Sequence, residues 1–169
     1  MSHTGRIEML MLRKSVMAVL ATGVTLALAG PLQAESPNGE GPRFEDPREA
    51  VTWRREELKG IERLVRQLRF DLVNNRDARG AEPRLAELAE VASGEHLLPA
   101  FIEGSHGRGS EARARIWEEW EEFEAGFAAL EERVAALREA AEAEDYRLAT
   151  RELSDLSLTC RSCHRRYRY

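Results

Sequence analysis

The chain predicts an all-α protein, an antiparallel four-helix bundle. Three observations carry that prediction. Four stretches between Asp46 and Tyr169 space their apolar residues alternately by three and four, as one face of a helix requires. No stretch alternates polar and apolar residues with period two, the mark of a half-buried strand. The connections are mostly short, and spacing near 3.5 residues packs antiparallel neighbours at shallow crossing angles.

Residues 1–34 read as a secretory signal peptide. Arg6, Arg13 and Lys14 give a basic start, Val16 to Gly30 is apolar, and Pro31-Leu32-Gln33-Ala34 ends on a small residue suited to cleavage. The competing reading is a membrane anchor. The apolar run falls short of the ~20 residues that span a bilayer, and no stop-transfer flank follows it. The expectation is therefore export to the periplasm, with no membrane contact after cleavage. Residues 35–45, ESPNGEGPRFE, are rich in Gly, Pro and charge and read as a flexible tether. The folded domain is expected over 46–169.

The first helix opens at Asp46-Pro47-Arg48-Glu49, with a capping carboxylate, Pro at the first helical position and Glu at the third. Its stripe is Val51, Arg54, Leu58, Ile61, Val65, Leu68 and Leu72, apolar except for Arg54. The polar run Asn74 to Gly80 is expected to end it. The second helix is expected from about Glu82-Pro83, using Leu85, Leu88 and Val91, with a bend near Gly94 before Leu97-Leu98-Pro99-Ala100-Phe101. Glu103 to Gly109 reads as a loop. Ser110 is expected to cap the third helix, whose stripe is Ile116, Trp120, Phe123, Phe127, Leu130, Val134 and Leu137. Asp145 is expected to cap the fourth, with Ala149, Leu153, Leu156, Cys160, Cys163 and Tyr167 on its inward line.

Charged residues make up 33% of the chain and the formal net charge is −5. That balance argues against a nucleic-acid binder, which needs a basic face. The acidic cluster Glu118, Glu119, Glu121, Glu122 and Glu124 reads as a solvated helix face.

The chemistry lies in Cys160-Arg161-Ser162-Cys163-His164, a CxxCH arrangement. Residues i and i+3 share one face of a helix, so two thiols at that spacing can add to the two vinyl groups at one edge of a haem. The histidine that follows can present an imidazole nitrogen to the iron. Three other readings were weighed. A thioredoxin-like pair wants a strand–helix–strand setting. A zinc site needs further ligands nearby. A disulfide between i and i+3 of a helix is geometrically poor. Covalent haem c, one per chain, is the expectation, with His164 as axial iron ligand.

The sixth iron position decides between two functions. A second side-chain ligand makes a low-spin electron carrier; an open position lets the iron take a small gas. All four methionines, Met1, Met9, Met11 and Met17, lie in the expected leader, so the mature chain would have no thioether to offer. His96 and His106 remain open as sixth ligands. Leu58, on the first helix near that level, cannot bind metal but can exclude water and screen ligands by size.

With these residues in view, the chain resembles the cytochrome c′ family, itself a standard example of the four-helix bundle. The resemblance rests first on Cys160 to Arg168, which matches the family's CxxCHxxYR. Ala50 to Arg55, Leu98-Pro99-Ala100-Phe101 and Ala114 to Trp117 are similar too. It implies that Cys160 and Cys163 form the haem thioethers and that His164 is the proximal ligand. It implies Arg168 beside the proximal face, Arg54 and, less closely, Arg55 at a haem propionate, and Leu58 as the distal screen. It further implies a non-enzymatic, five-coordinate, high-spin haem protein that binds NO and CO or transfers electrons to redox partner proteins, and a homodimer. The loop Glu103 to Gly109 departs from the family in length.

Overall fold

The computed structural model describes residues 42–169. The expected leader, 1–34, and all but the last four residues of the expected tether lie outside the described residues.

Helix α1 spans Pro47–Arg69. The Asp46 carboxylate accepts from the Arg48 amide at 2.8 Å. Pro47 occupies a position where its missing N–H costs nothing, and Glu49 sits at the positive end of the helix dipole. The helix continues into a π turn, Phe70–Asn75, which ends at Arg76 in the left-handed region with φ of 55°. The wider turn buries Asp71 and Leu72 and leaves Phe70 and Val73 facing solvent.

Helix α2, Ala78–Val91, begins four residues earlier than the sequence pattern suggests. Asp77 is its cap, accepting from the Gly80 amide at 2.8 Å. The polar run read as a loop thus contains the helix start, and Pro83 lies inside the helix. Helix α3, Gly94–Leu97, and a 3₁₀ turn, Leu98–Ala100, complete this arm. The bend expected at Gly94 also serves close packing. A Cβ there would meet the Leu98 side chain at 3.1 Å and Phe127 at 3.3 Å.

The third stretch is not the single helix that Ser110 was expected to cap. The Ser110 hydroxyl instead accepts from Arg54 at 2.7 Å and from the Ala112 amide at 3.1 Å. Ala112 then pairs with Arg168 as an isolated antiparallel bridge. A short α4, Arg115–Glu118, is separated from α5, Trp120–Glu142, by the non-helical backbone of Glu119. Helix α6, Tyr146–Tyr167, is capped as expected, Asp145 accepting from the amides of Arg147 and Leu148 at 3.1 and 3.0 Å.

Glu119 ties the kink to the end of α6. Arg115 and Arg166 each donate to its carboxylate, at 2.8 and 2.7 Å. These two hydrogen-bonded guanidiniums hold the carboxyl down to about 2. A carboxylate whose pKa is lowered by folding stabilises the fold above its unfolded value of 4.5 and loses that contribution as pH falls toward about 2. Glu119→Gln is therefore expected to lower Tm at neutral pH, with the gap to the parent closing in acid. A gap unchanged down to about pH 2 would show that the ion pairs contribute nothing.

Helix α1 packs on α2, α2 on α5, and α5 on α6, closing three sides of the bundle. On the fourth side α6 meets the π turn, whereas α1 itself scarcely touches α6. The larger core holds Leu64, Leu68, Leu72, Leu85, Leu88, Leu137, Leu153 and Leu156. Burying each of these contributes about 1.5–3 kcal/mol before the entropy of ordering is charged against it. A second cluster, Phe101, Ala112, Ile116, Phe123 and Tyr167, lies apart from the first. Among the described residues no helix is long and apolar enough to cross a membrane.

Candidate functional site

The break between the two cores falls on α6 at Cys160 and Cys163. Along its inward line Ala149, Leu153 and Leu156 are buried, Cys160 and Cys163 are half-buried, and Tyr167 is buried again. Cys163 packs against the second cluster.

The opposite wall opens at the same end. Val51, Leu58, Val65 and Leu72 are seven residues apart and start out on one side of α1. Leu72 is fully buried where the π turn meets α6, but Leu58 is 40% exposed. The Thr150 hydroxyl, 3.3 Å from the Leu72 carbonyl oxygen, marks the side of α6 that looks toward α1. Two steps of seven from Thr150 reach His164, which therefore stands on the same side. Leu58 on α1 and His164 on α6 are both exposed on lines that are more buried nearer the π turn, and the two helices scarcely touch. A flat, largely apolar group anchored at Cys160 and Cys163 suits that end of the bundle. The residues fit haem.

No disulfide joins Cys160 and Cys163. Burial pushes each thiol up, and at Cys163 the neighbouring Cys160 adds to the effect. Partial burial holds the His164 imidazole below its ordinary value, with the positive charge of Arg168 reinforcing the shift and Glu111 opposing it. The neutral imidazole, the form with a lone pair for a metal, is thereby favoured. Arg168 follows the last turn of α6, its guanidinium paired with Glu111.

Arg54 is the main surprise. It is 3% exposed. It donates to the Ala100 carbonyl at 2.8 Å, the Ser105 hydroxyl at 2.7 Å, the Ser105 carbonyl and the Ser110 hydroxyl. Its guanidinium also lies 4.7 Å from the centre of the Phe101 ring. The sequence argument gave a stripe arginine a charged partner. Here its hydrogen-bond partners are neutral oxygens of the 100–110 segment, which it fastens to α1. Burial lowers its pKa to about 10, so it stays a cation at neutral pH. Arg55, exposed, fastens the same segment by donating to the Gly109 carbonyl at 3.1 Å.

The other two histidines are engaged elsewhere. His96 is bonded to the Glu57 carboxylate at 2.8 Å, and its ring packs 5.0 Å from that of Trp53. His106 is exposed and packs on Trp117 at 5.2 Å. The structure places Cys160, Cys163 and His164 on the last turns of α6 and Leu58 exposed on α1, and leaves His96 and His106 in other company. Sequence reasoning missed Ser105 and Glu119. Ser105 is a buried serine in a glycine-rich loop and carries no local signal, and Glu119 is masked by its acidic neighbours.

The family model described as Cytochrome C' matches residues 49–168. Among solved structures, the cytochrome c prime from Shewanella frigidimarina is 25% identical, with a TM-score of 0.68 over 75% of this chain and 98% of that one. A nitrosyl complex of a cytochrome c prime variant from Alcaligenes xylosoxidans is 24% identical, with a TM-score of 0.67 over 75% and 100%. A ferrous variant from the same organism with bound NO is 23% identical, with a TM-score of 0.67 over 75% and 98%. No match was found among curated protein sequences. With a family model spanning most of the bundle and a fold shared with these structures, the chain belongs to the cytochrome c′ family, whose members carry a covalently bound haem c.

Proposed function

We propose that this chain is a periplasmic cytochrome whose haem is five-coordinate and high-spin, binding NO and CO at its distal face and exchanging electrons with partner proteins. The observation that supports the reading is the break in the buried line of α6 at Cys160 and Cys163, next to His164, with Leu58 exposed on α1. Cys160 and Cys163 hold the haem by thioether bonds, and His164 supplies the axial nitrogen. The haem, when bound, supplies a one-electron redox centre and a coordination position for a small gas. Leu58 closes the distal side with an isobutyl group that cannot ligate, so that a gas must displace it to enter. Arg168 stands one turn beyond His164 and places a positive charge on the proximal side. The alternative, a six-coordinate carrier using His96 or His106, would require His96 to leave Glu57 or His106 to leave Trp117. Solved relatives titled as NO complexes support gas binding. A homodimer belongs to the same reading, and sedimentation of the holoprotein measures it.

The absorption spectrum tests the coordination. Broad high-spin bands in both oxidation states, shifting with CO, are expected; sharp low-spin bands would sink the reading. Leu58→Ala is expected to speed CO association on the order of tenfold, equivalent to about 1.4 kcal/mol off the barrier. An unchanged rate would remove Leu58 from the path of the gas.

A further inference from the structure

The outer face of the last turns of α6 carries a charge opposite to that of the chain as a whole. Between Arg161 and Tyr169 stand four arginines and no acid, in a protein of net charge −5. Arg166 and Arg168 are paired with Glu119 and Glu111. Among the described residues the side chains of Arg161 and Arg165 have neither hydrogen bond nor ion pair. Leu158, Arg161 and Arg165 follow one another at steps of three and four, so they share a side of the helix, and all three are exposed. Leu158 is 57% exposed, an apolar side chain with arginines along one flank. A shallow depression of about 460 Å³ lies against this face, lined by Arg161, His164, Arg165, Arg168 and Tyr169.

We propose that this face is a docking surface for an acidic redox protein, which exchanges one electron with the haem beside His164. The proposal rests on the haem reading above. An exposed apolar side chain next to unpaired arginines suits a protein-recognition patch, where arginine is enriched. Two unpaired guanidiniums cost little to bring against carboxylates, since no internal partner has to be given up. An electron passes singly from the partner's reduced centre to ferric iron, or back from ferrous iron, and no bond or proton moves with it. A membrane surface fits less well, because an amphipathic membrane helix presents a broad apolar face and here the exposed apolar side chain is Leu158, between Asp155 and Arg161. A second copy of the chain, offering the acids of α5, is the remaining rival.

The test uses the holoprotein. The reduced form is oxidised by ferricyanide, a trianion, and by tris(phenanthroline)cobalt(III), a trication, each taking one electron, at low and high salt. The ferricyanide rate is expected to fall about tenfold as salt rises, and the cobalt rate to rise, although the net charge predicts the reverse. Arg161→Glu combined with Arg165→Glu should invert both trends without altering the haem spectrum. A polyglutamate peptide should shift the amide NMR signals of residues 158–168 in the parent and not in the double variant. A parent ferricyanide rate that rises with salt, or a double variant that behaves like the parent, overturns the proposal. So does binding to phosphatidylglycerol vesicles without binding to polyglutamate, which makes the face a lipid site. Self-association abolished by the double variant makes it a contact between copies instead. A colourless protein sinks the haem reading; a red one with the wrong salt trends sinks only the docking surface.

Discussion

Arg54→Ala is expected to lower the stability of the fold by about 3–5 kcal/mol, a large part of the ~5–15 kcal/mol that holds a domain together. The substitution takes the guanidinium from four oxygens, on Ala100, Ser105 and Ser110, of which only the Ser110 hydroxyl keeps another donor, the Ala112 amide. Each buried acceptor stripped of its partner costs about 1–3 kcal/mol, and relaxation or entering water recovers part of the sum. The contact with the Phe101 ring goes as well. Arg54→Lys keeps the charge, but one ammonium cannot span four acceptors that a planar fork serves from two nitrogens. It should fall between the parent and the alanine variant. Urea unfolding measures both, and a loss below about 1 kcal/mol for alanine would mean that water replaces the guanidinium. The loss should reach the haem site, because Arg54 fastens the 100–110 segment to α1 four residues before Leu58.

Removing the two sulfurs should have the largest effect on the cofactor. In a chain with both Cys160→Ala and Cys163→Ala, haem is expected to be extracted completely by acid acetone, whereas the parent keeps it. Each single variant should retain one thioether and a shifted absorption band. Mass analysis of the polypeptide reads this directly, and a parent chain with both thiols unmodified would end the account of the site. The double variant also probes the interrupted core. With nothing anchored between Leu156 and Tyr167, the second cluster has only the turn of α6 itself to connect it to the first.

What could be read in advance depended on how far each signal travels along the chain. The caps at Asp46 and Asp145 and the stripes of α1 and α6 are local, lying within a turn or two, and they stand where the spacing put them. The start of α2 was masked because Asp77 sits in a run that looks like a turn, although that residue is the cap. Ser110 was misread for a different reason. Its hydroxyl is taken by Arg54, 56 residues away, and no local pattern records so distant a partner. The same asymmetry divides the site. The CxxCH spacing is local geometry and names three residues at once. The sparse contact between α1 and α6, the neutral company of Arg54 and the pairing of His96 with Glu57 depend on how the helices meet. Only the assembled bundle shows them.

The division of the interior into two apolar clusters also sets how the molecule yields to force. The pole at the π turn, where leucines from every long helix interlock, forms a stiff clamp. The pole around Cys160 is tied by the hydrogen bonds of Arg54, by the ion pairs of Glu119 and Glu111 and by a cluster of rings. Charge-altering substitutions should therefore loosen this pole and leave the cooperative unit at the far one intact.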